Sequence, residues 1–378
     1  MNTTATTPAQ EDEHEATPGL GSTLLRPAVG GLVGVVVAMV VGTLLAAFLS
    51  ATGLTTTSPW LLGRWLAGGG LLGGWRQDVT ADVGNGISWT VTAAFAPLLI
   101  TACVWLTVGA FARGRTISGW AGVAAAAGGA AVGGGLLVLI SGVENSTVNA
   151  AGTVTASEGL TAVWTSGSHP GVIVGAAVLA AAAWASRTVG RGWWRAGRGL
   201  VIWFVIVPGI VLSLVASAAT WYLTSSVAVA ASLFLLFPLL GALAVPALAG
   251  APVSVSLTRL TPEVVHVDLW GRGLVVGCGG IVVLLVLAAV VGFVLGRRGH
   301  VGPWVPAIVV VAVAFAFIAW AQTFNVHVPA GIGAPTIAAV SVPVAALAGA
   351  GMAVVALTVR DWESRRRGSA TTTAPSAS

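Results

Sequence analysis

"SVAVAASLFLLFPLLGALAVPALAGAP", residues 226–252, is apolar enough to cross a membrane, yet it carries Pro238, Pro246 and Pro252 with Gly241 and Gly250 among them. An interior proline removes one helix hydrogen bond and clashes with the preceding turn. Whether this stretch crosses decides which side of a bilayer everything after it occupies. Non-helical backbone at membrane depth persists only where protein or a water-filled cavity covers it. The stretch reads as a broken, re-entrant or interfacial segment; the competing reading is an ordinary kinked helix that crosses.

Eight further apolar runs flank it: 27–50, 91–111, 120–141, 170–186 and 199–220 before, then 274–295, 304–321 and 336–358 after. About 20 helical residues cross a hydrocarbon core roughly 30 Å thick. The chain of 378 residues is 56% hydrophobic and 8% charged, with a mean hydropathy of +0.94. A soluble core holding that much apolar surface would leave too little polar exterior.

The arginines test the count, because short basic loops stay on the cytoplasmic side. All 17 basic residues are arginine. If nine runs cross, the arginines split 9 to 8 between the two sides, which is no bias. If the 226–249 segment turns back, the split becomes 13 to 4, with only Arg64, Arg76, Arg259 and Arg272 outside. The expected fold is therefore an all-α polytopic membrane protein of about eight spans plus one broken or re-entrant segment, in a bacterial cytoplasmic membrane with both termini inside.

Residues 1–22 form an acidic tail too polar to bury a core, and are expected to be disordered. The transmembrane domain covers 23–360. Residues 361–378 are basic, then low in complexity. No basic n-region precedes the first apolar run, which is longer than a signal h-region, so that run is expected to stay as an uncleaved anchor.

In "ASRTVGRGWWRAGRGL", residues 185–200, Arg187, Arg191, Arg195 and Arg198 fall at helical spacing on one face. Continued from the 170–186 run, that face would lie against anionic lipid headgroups, with Trp193 and Trp194 at the interface. A basic loop would perform the same electrostatic role. The positive charge sits beside apolar runs, not on a soluble basic face, so nucleic acid is not expected as a partner.

All 12 acidic residues fall outside these spans. Intramembrane ionisable groups usually mark ion or proton pathways, so an ion-coupled transporter of the common kind is disfavoured. The broken segment, at Pro238, Gly241 and Pro246, remains a candidate site, because broken helices can bind through backbone groups. Around "TPE", the alternation in "VSVSLTRL" and "VVHVDLW" predicts an external β-hairpin. Glu263, His266 and Asp268 there are residue types that a metal accepts, but a solvated hairpin is the simpler reading. Trp60, Trp65 and Trp75 in the first outer segment are expected to anchor it in the interface. Small-residue spacings such as Gly30/Gly34 and Gly273/Gly277 allow close helix contact. Cys103 and Cys278 lack metal or disulfide spacing. No motif for a cofactor or a catalytic pair appears.

Stretches such as "PLLITACVWLTVGAFARGR" (97–115) and "FPLLGALAVPALAGAPVSV" (237–255), within arginine-only helices rich in alanine, glycine and valine, resemble multi-pass membrane proteins of the streptophobe-like family of actinobacteria. The resemblance implies a polytopic membrane fold and carries no catalytic residue. The leading expectation is a non-enzymatic membrane protein serving envelope assembly or cell division through membrane-protein partners. The alternative is a transporter or permease with its site at 226–249.

Overall fold

The computed structural model describes residues 20–53, 58–73, 75–81, 87–95, 97–113, 119–140, 144–146, 160–165, 169–236, 238–249, 253–256, 264–267, 274–297, 303–327, 337–338 and 341–372. The chain opens with α1 (Leu20–Ala51) and α2 (Pro59–Gly70), then the strands β1 (Trp75–Ala81) and β2 (Ile87–Phe95). Helices α3 (Leu98–Phe111) and α4 (Trp120–Ile140) follow, then β3 (Glu144–Ser146), β4 (Leu160–Thr165) and α5 (His169–Arg187). Next come α6 (Arg191–Val201), a π turn (Ile202–Ile206), α7 (Val207–Thr224), α8 (Val227–Leu236), a 3₁₀ turn (Leu240–Leu243) and α9 (Ala244–Leu248). The chain closes with β5 (Val253–Ser256), β6 (Val264–Val267), α10 (Leu274–Arg297), α11 (Trp304–Ala321), β7 (Gln322–His327), β8 (Ile337–Ala338) and α12 (Val342–Thr372).

Among the described residues, seven helices are long and apolar enough to cross a membrane alone, with α6, the π turn and α7 counting as one. Two shorter candidates compete to be the eighth: α3, of 14 residues, and the α8–α9 pair, bent by 63°. The strands decide between them. β3, β4, β1, β2, β7 and β8 form one sheet in that order, so the loops that carry them share one side of the membrane. Between β2 and β3 the chain must cross an even number of times, which makes α3 a span alongside α4. Between β4 and β7 it crosses through α5, α6–α7, α10 and α11, already an even number. A crossing by α8–α9 would put β7 on the wrong side. Eight helices cross, the broken segment turns back, and both ends of the helical domain lie opposite the sheet.

The hairpin expected around "TPE" is present: β5 pairs antiparallel with β6, with Ser254 opposite His266. Glu263 and Asp268 lie outside the described residues. Among the expected spans, 91–111 is corrected. Its first residues belong to β2, where "ISWTVTAAF" alternates like a strand, and Pro97 precedes the helix proper. The last span begins at Val342, after β8, and its helix continues through the basic run to Thr372. Residues 1–19 and 373–378 of the two tails lie outside the described residues.

The helices form two lobes, each with its own core. One core gathers α1 to α5 around Ala38, Leu66, Val104, Ala126 and Trp184. The other gathers α6 and α9 to α12 around Leu200, Phe204, Ala288, Phe315 and Ala353. The broken segment straddles them. Leu235 and Leu236 of α8 pack on the first core, while Ala242 and Val245 belong to the second. Large apolar side chains such as Leu44, Leu139, Leu223 and Leu347 face outward, as a lipid-facing surface requires.

In α6–α7, Pro208 has no N–H to give Phe204, and the turn widens to a π geometry with Val207 N–H bonded to Ile202 O. The first outer segment also differs from expectation. Helix α2 does not lie in the interface on its tryptophans: Trp65 is 5% exposed and Gly63 packs directly on Thr43 of α1. Trp60 faces outward.

Candidate functional site

On the face opposite the sheet, α5 ends at Arg187, and a tight turn over 188–190 leads straight into α6. The Gly190 N–H donates to Ala185 O at 2.6 Å. The arginine stripe expected on one extended helix is therefore folded back on itself, with Arg187 on one helix and Arg191, Arg195 and Arg198 on the next. The turn at 188–190 breaks the helix where a continued one would have carried the charge away from the membrane.

Reversal builds a cavity of about 280 Å³ between α3, α5 and α6, open to one side. Arg113, Arg187, Arg191, Arg195 and Arg198 all line it, with Trp194. Arg191 Nε donates to Arg187 O at 2.9 Å, and Trp194 packs against Trp105 of α3 with ring centroids 6.0 Å apart. Arg26 Nη2 donates to Arg113 O at 3.2 Å, tying the start of α1 to the same corner. The Arg187 Nε is buried and has no hydrogen-bond partner. Among the described residues, none of the five arginines has a carboxylate within salt-bridge distance. A concave, wholly cationic wall with an unsatisfied guanidinium is chemically suited to an anion.

A second basic cluster, at the end of the last span in the other lobe, is neutralised from within. Arg360, 5% exposed, donates from Nε to Asp361 Oδ1 at 2.9 Å, and Trp304 Nε1 donates to Asp361 Oδ2 at 2.8 Å. Glu363, equally buried, accepts from Arg367 Nε at 3.2 Å.

At the broken segment, Pro238 lies in the bend, Gly241 in the 3₁₀ turn, and Pro246 is buried in α9. Gly241 donates its N–H to Ser213 Oγ on α7 at 3.0 Å, and a side chain at 241 would collide with Leu212, Gly209 and Ser213. One turn further along α7, the buried Ser217 Oγ has no hydrogen-bond partner. These groups place a few polar atoms at the seam between the lobes.

Sequence reasoning found four of the five cavity arginines and missed Arg113, whose only signal was a second basic loop on the same side. It also missed Arg64. On the buried face of α2, this residue donates from Nη1 to the carbonyl of Ile140 at the end of α4, and lies 5.6 Å from the Trp60 ring. A cation at a helix C-terminus meets the negative end of its dipole. Among the described residues, no three potential metal ligands converge. Comparison with protein-family models, curated proteins and solved structures finds no match to this chain.

Proposed function

We propose that this integral membrane protein is a non-enzymatic scaffold of the bacterial cytoplasmic membrane, with its arginine face and both termini inside, serving envelope assembly or cell division by holding partners. One observation carries the reading. Loops from both lobes, which have no need of each other to span a membrane, combine into a single six-stranded sheet. Its outermost strands, β3 and β8, are only three and two residues long. Among the described residues, half of the outer edge of β4 and four of the six residues on that of β7 carry no strand partner, and a partner strand can pair there.

The test is to replace residues 141–168 with a short flexible linker, which removes β3 and β4 and leaves every span. The scaffold reading expects normal insertion and thermal stability, together with loss of the protein's native-size complex in mild detergent. An unchanged complex would remove the reading.

The seam between the lobes favours transport as a second reading, since repeat-built transporters place substrate sites where broken segments meet at a lobe interface. The buried, unpartnered Ser217 hydroxyl, one turn along α7 from the Ser213 that holds Gly241, is the observation behind it. Substrate-dependent stabilisation that Ser217→Ala abolishes would establish it over the scaffold.

A further inference from the structure

The two lobes repeat one order of elements. The first runs span (α1), turned-back segment (α2), hairpin (β1–β2), span (α3), span (α4), strand pair (β3–β4), span (α5). The second runs span (α6–α7), turned-back segment (α8–α9), hairpin (β5–β6), span (α10), span (α11), strand pair (β7–β8), span (α12). We propose that the chain is a tandem duplication of one four-span unit, in which the second copy neutralises its terminal arginine with its own carboxylates while the first leaves the equivalent arginine open for a phosphate-bearing anion.

The residues support the repeat position by position. Ser168-His-Pro170 opens the last span of the first copy and Ser341-Val-Pro343 that of the second, and in both an arginine follows the proline by 17 residues, Arg187 and Arg360. Between them six of the seven buried positions of the first copy fall on buried positions of the second without a gap: Val172 with Ala345, Ala176 with Gly349, Leu179 with Met352, Ala180 with Ala353, Ala183 with Ala356 and Trp184 with Leu357. Trp120 and Trp304 each start the third span. Counting from them, Ala126 matches Val310, and these are the residues on which Gly31 of α1 and Gly197 of α6 pack.

The first spans then match as well. Gly42 packs on α2 at Gly63 and Ala67, and Gly209 packs on the broken segment at Leu239 and Ala242. Gly31 and Gly42 are 11 residues apart, Gly197 and Gly209 are 12. The π turn at Ile202–Ile206 lies in that interval and takes up the extra residue, because its i→i+5 bond encloses one residue more than an α turn. Four spans per copy is an even number, so the copies share one orientation and are related by an axis along the membrane normal.

Aligning the copies on this register explains why the arginines of the first copy have no carboxylate among the described residues. Asp361 and Glu363, which hold Arg360 and Arg367, fall on Thr188 and Gly190 in the first copy. Trp304, bonded to Asp361, falls on Trp120, which is 71% exposed. The first copy keeps the arginine and lacks the anion. Phosphate is the tetrahedral anion that a guanidinium cluster grips by several charge-assisted bonds, and it is available as a phospholipid headgroup or as a soluble phosphate. The inference rests on the membrane reading and is independent of the outer sheet, so failure of the scaffold test leaves it standing.

The test uses the purified full-length protein, its thermal unfolding followed in detergent with added phosphatidylglycerol, added phosphatidylcholine, or inorganic phosphate against chloride at matched ionic strength. A Tm raised by several degrees with phosphatidylglycerol alone identifies a lipid headgroup, and one raised by inorganic phosphate identifies a soluble anion. Either supports the proposal. Thr188→Asp with Gly190→Glu should install the second copy's solution, since Gly190 has φ −89°, which any residue adopts, and a Cβ there needs a shift of only a few tenths of an ångström from Ala185 O at 3.3 Å. That variant is expected to match the anion-bound Tm without additive and to lose its response. Should it fail to fold, Arg187→Gln with Arg191→Gln is expected to fold and lose the response. Equal behaviour of the wild type in all additives, or a full response in the folded variants, overturns the proposal.

Discussion

Gly241 and Ser213 are joined by a 3.0 Å hydrogen bond from the glycine N–H to the serine Oγ, and that bond fastens the turn in the broken segment to α7. Helix α7 supplies the partner that the broken helix cannot supply itself. Ser213→Ala leaves a buried N–H without a partner, which costs about 1–3 kcal/mol. Gly241→Val forces a side chain into Leu212 and Gly209 and is expected to cost more. Thermal unfolding in detergent ranks the two; a Gly241→Val protein as stable as wild type would show the segment is not packed as described.

Arg64 should be worth more to stability than its outer position suggests. Arg64→Leu removes the donor to the Ile140 carbonyl and is expected to destabilise by about 1–3 kcal/mol. Arg64→Lys should recover part of the loss, because the charge still meets the end of α4. Comparing the three proteins in chemical or thermal melts separates charge from geometry.

The even count of crossings between strands fixes which loops share a side, and which side that is can be read chemically. Single cysteines at Thr258, His300, His327 and Ser376, in a Cys103→Ala, Cys278→Ala background, are probed with an impermeant thiol reagent on intact cells. Labelling is expected at 258 and 327, with protection at 300 and 376 until the membrane is permeabilised. The reverse pattern after residue 250 would restore a ninth crossing.

If the π turn holds one residue beyond the repeat, that residue can be spared. Deleting Ile206 together with Pro208→Ala should give a regular α helix in which Gly197 and Gly209 keep facing Val310 and the broken segment. Insertion and folded yield are expected near wild type. Deleting Leu214, in regular α helix, turns all that follows by about 100° and should abolish folding.

The number of spans and the turned-back segment were legible because bilayer thickness and arginine placement act on whole runs, which tolerate a residue or two of error. Boundaries failed where a second pattern overlapped the apolar one: "ISWTVTAAF" is hydrophobic enough to join a span and alternates like the strand it is. The arginine cavity was half legible. Spacing put Arg187, Arg191, Arg195 and Arg198 on one face, but their convergence with Arg113 depends on the reversal at 188–190, which helical periodicity cannot express. Arg64 was illegible, since its partner is a backbone carbonyl 76 residues away.

Pairing of β2 with β7 sets Thr90 opposite His327 and Thr92 opposite Asn325, joining stretches made far apart in time on the ribosome. When β2 emerges, its hairpin partner β1 is already beside it, but its other edge has nothing to pair with until α11 has entered the bilayer. That edge stays bare through six further insertions, those of α3, α4, α5, α6–α7, α10 and α11. A chain stalled or truncated before residue 322 would therefore present an open strand on the sheet's side of the membrane, where a protease or chaperone can tell a half-made molecule from a finished one.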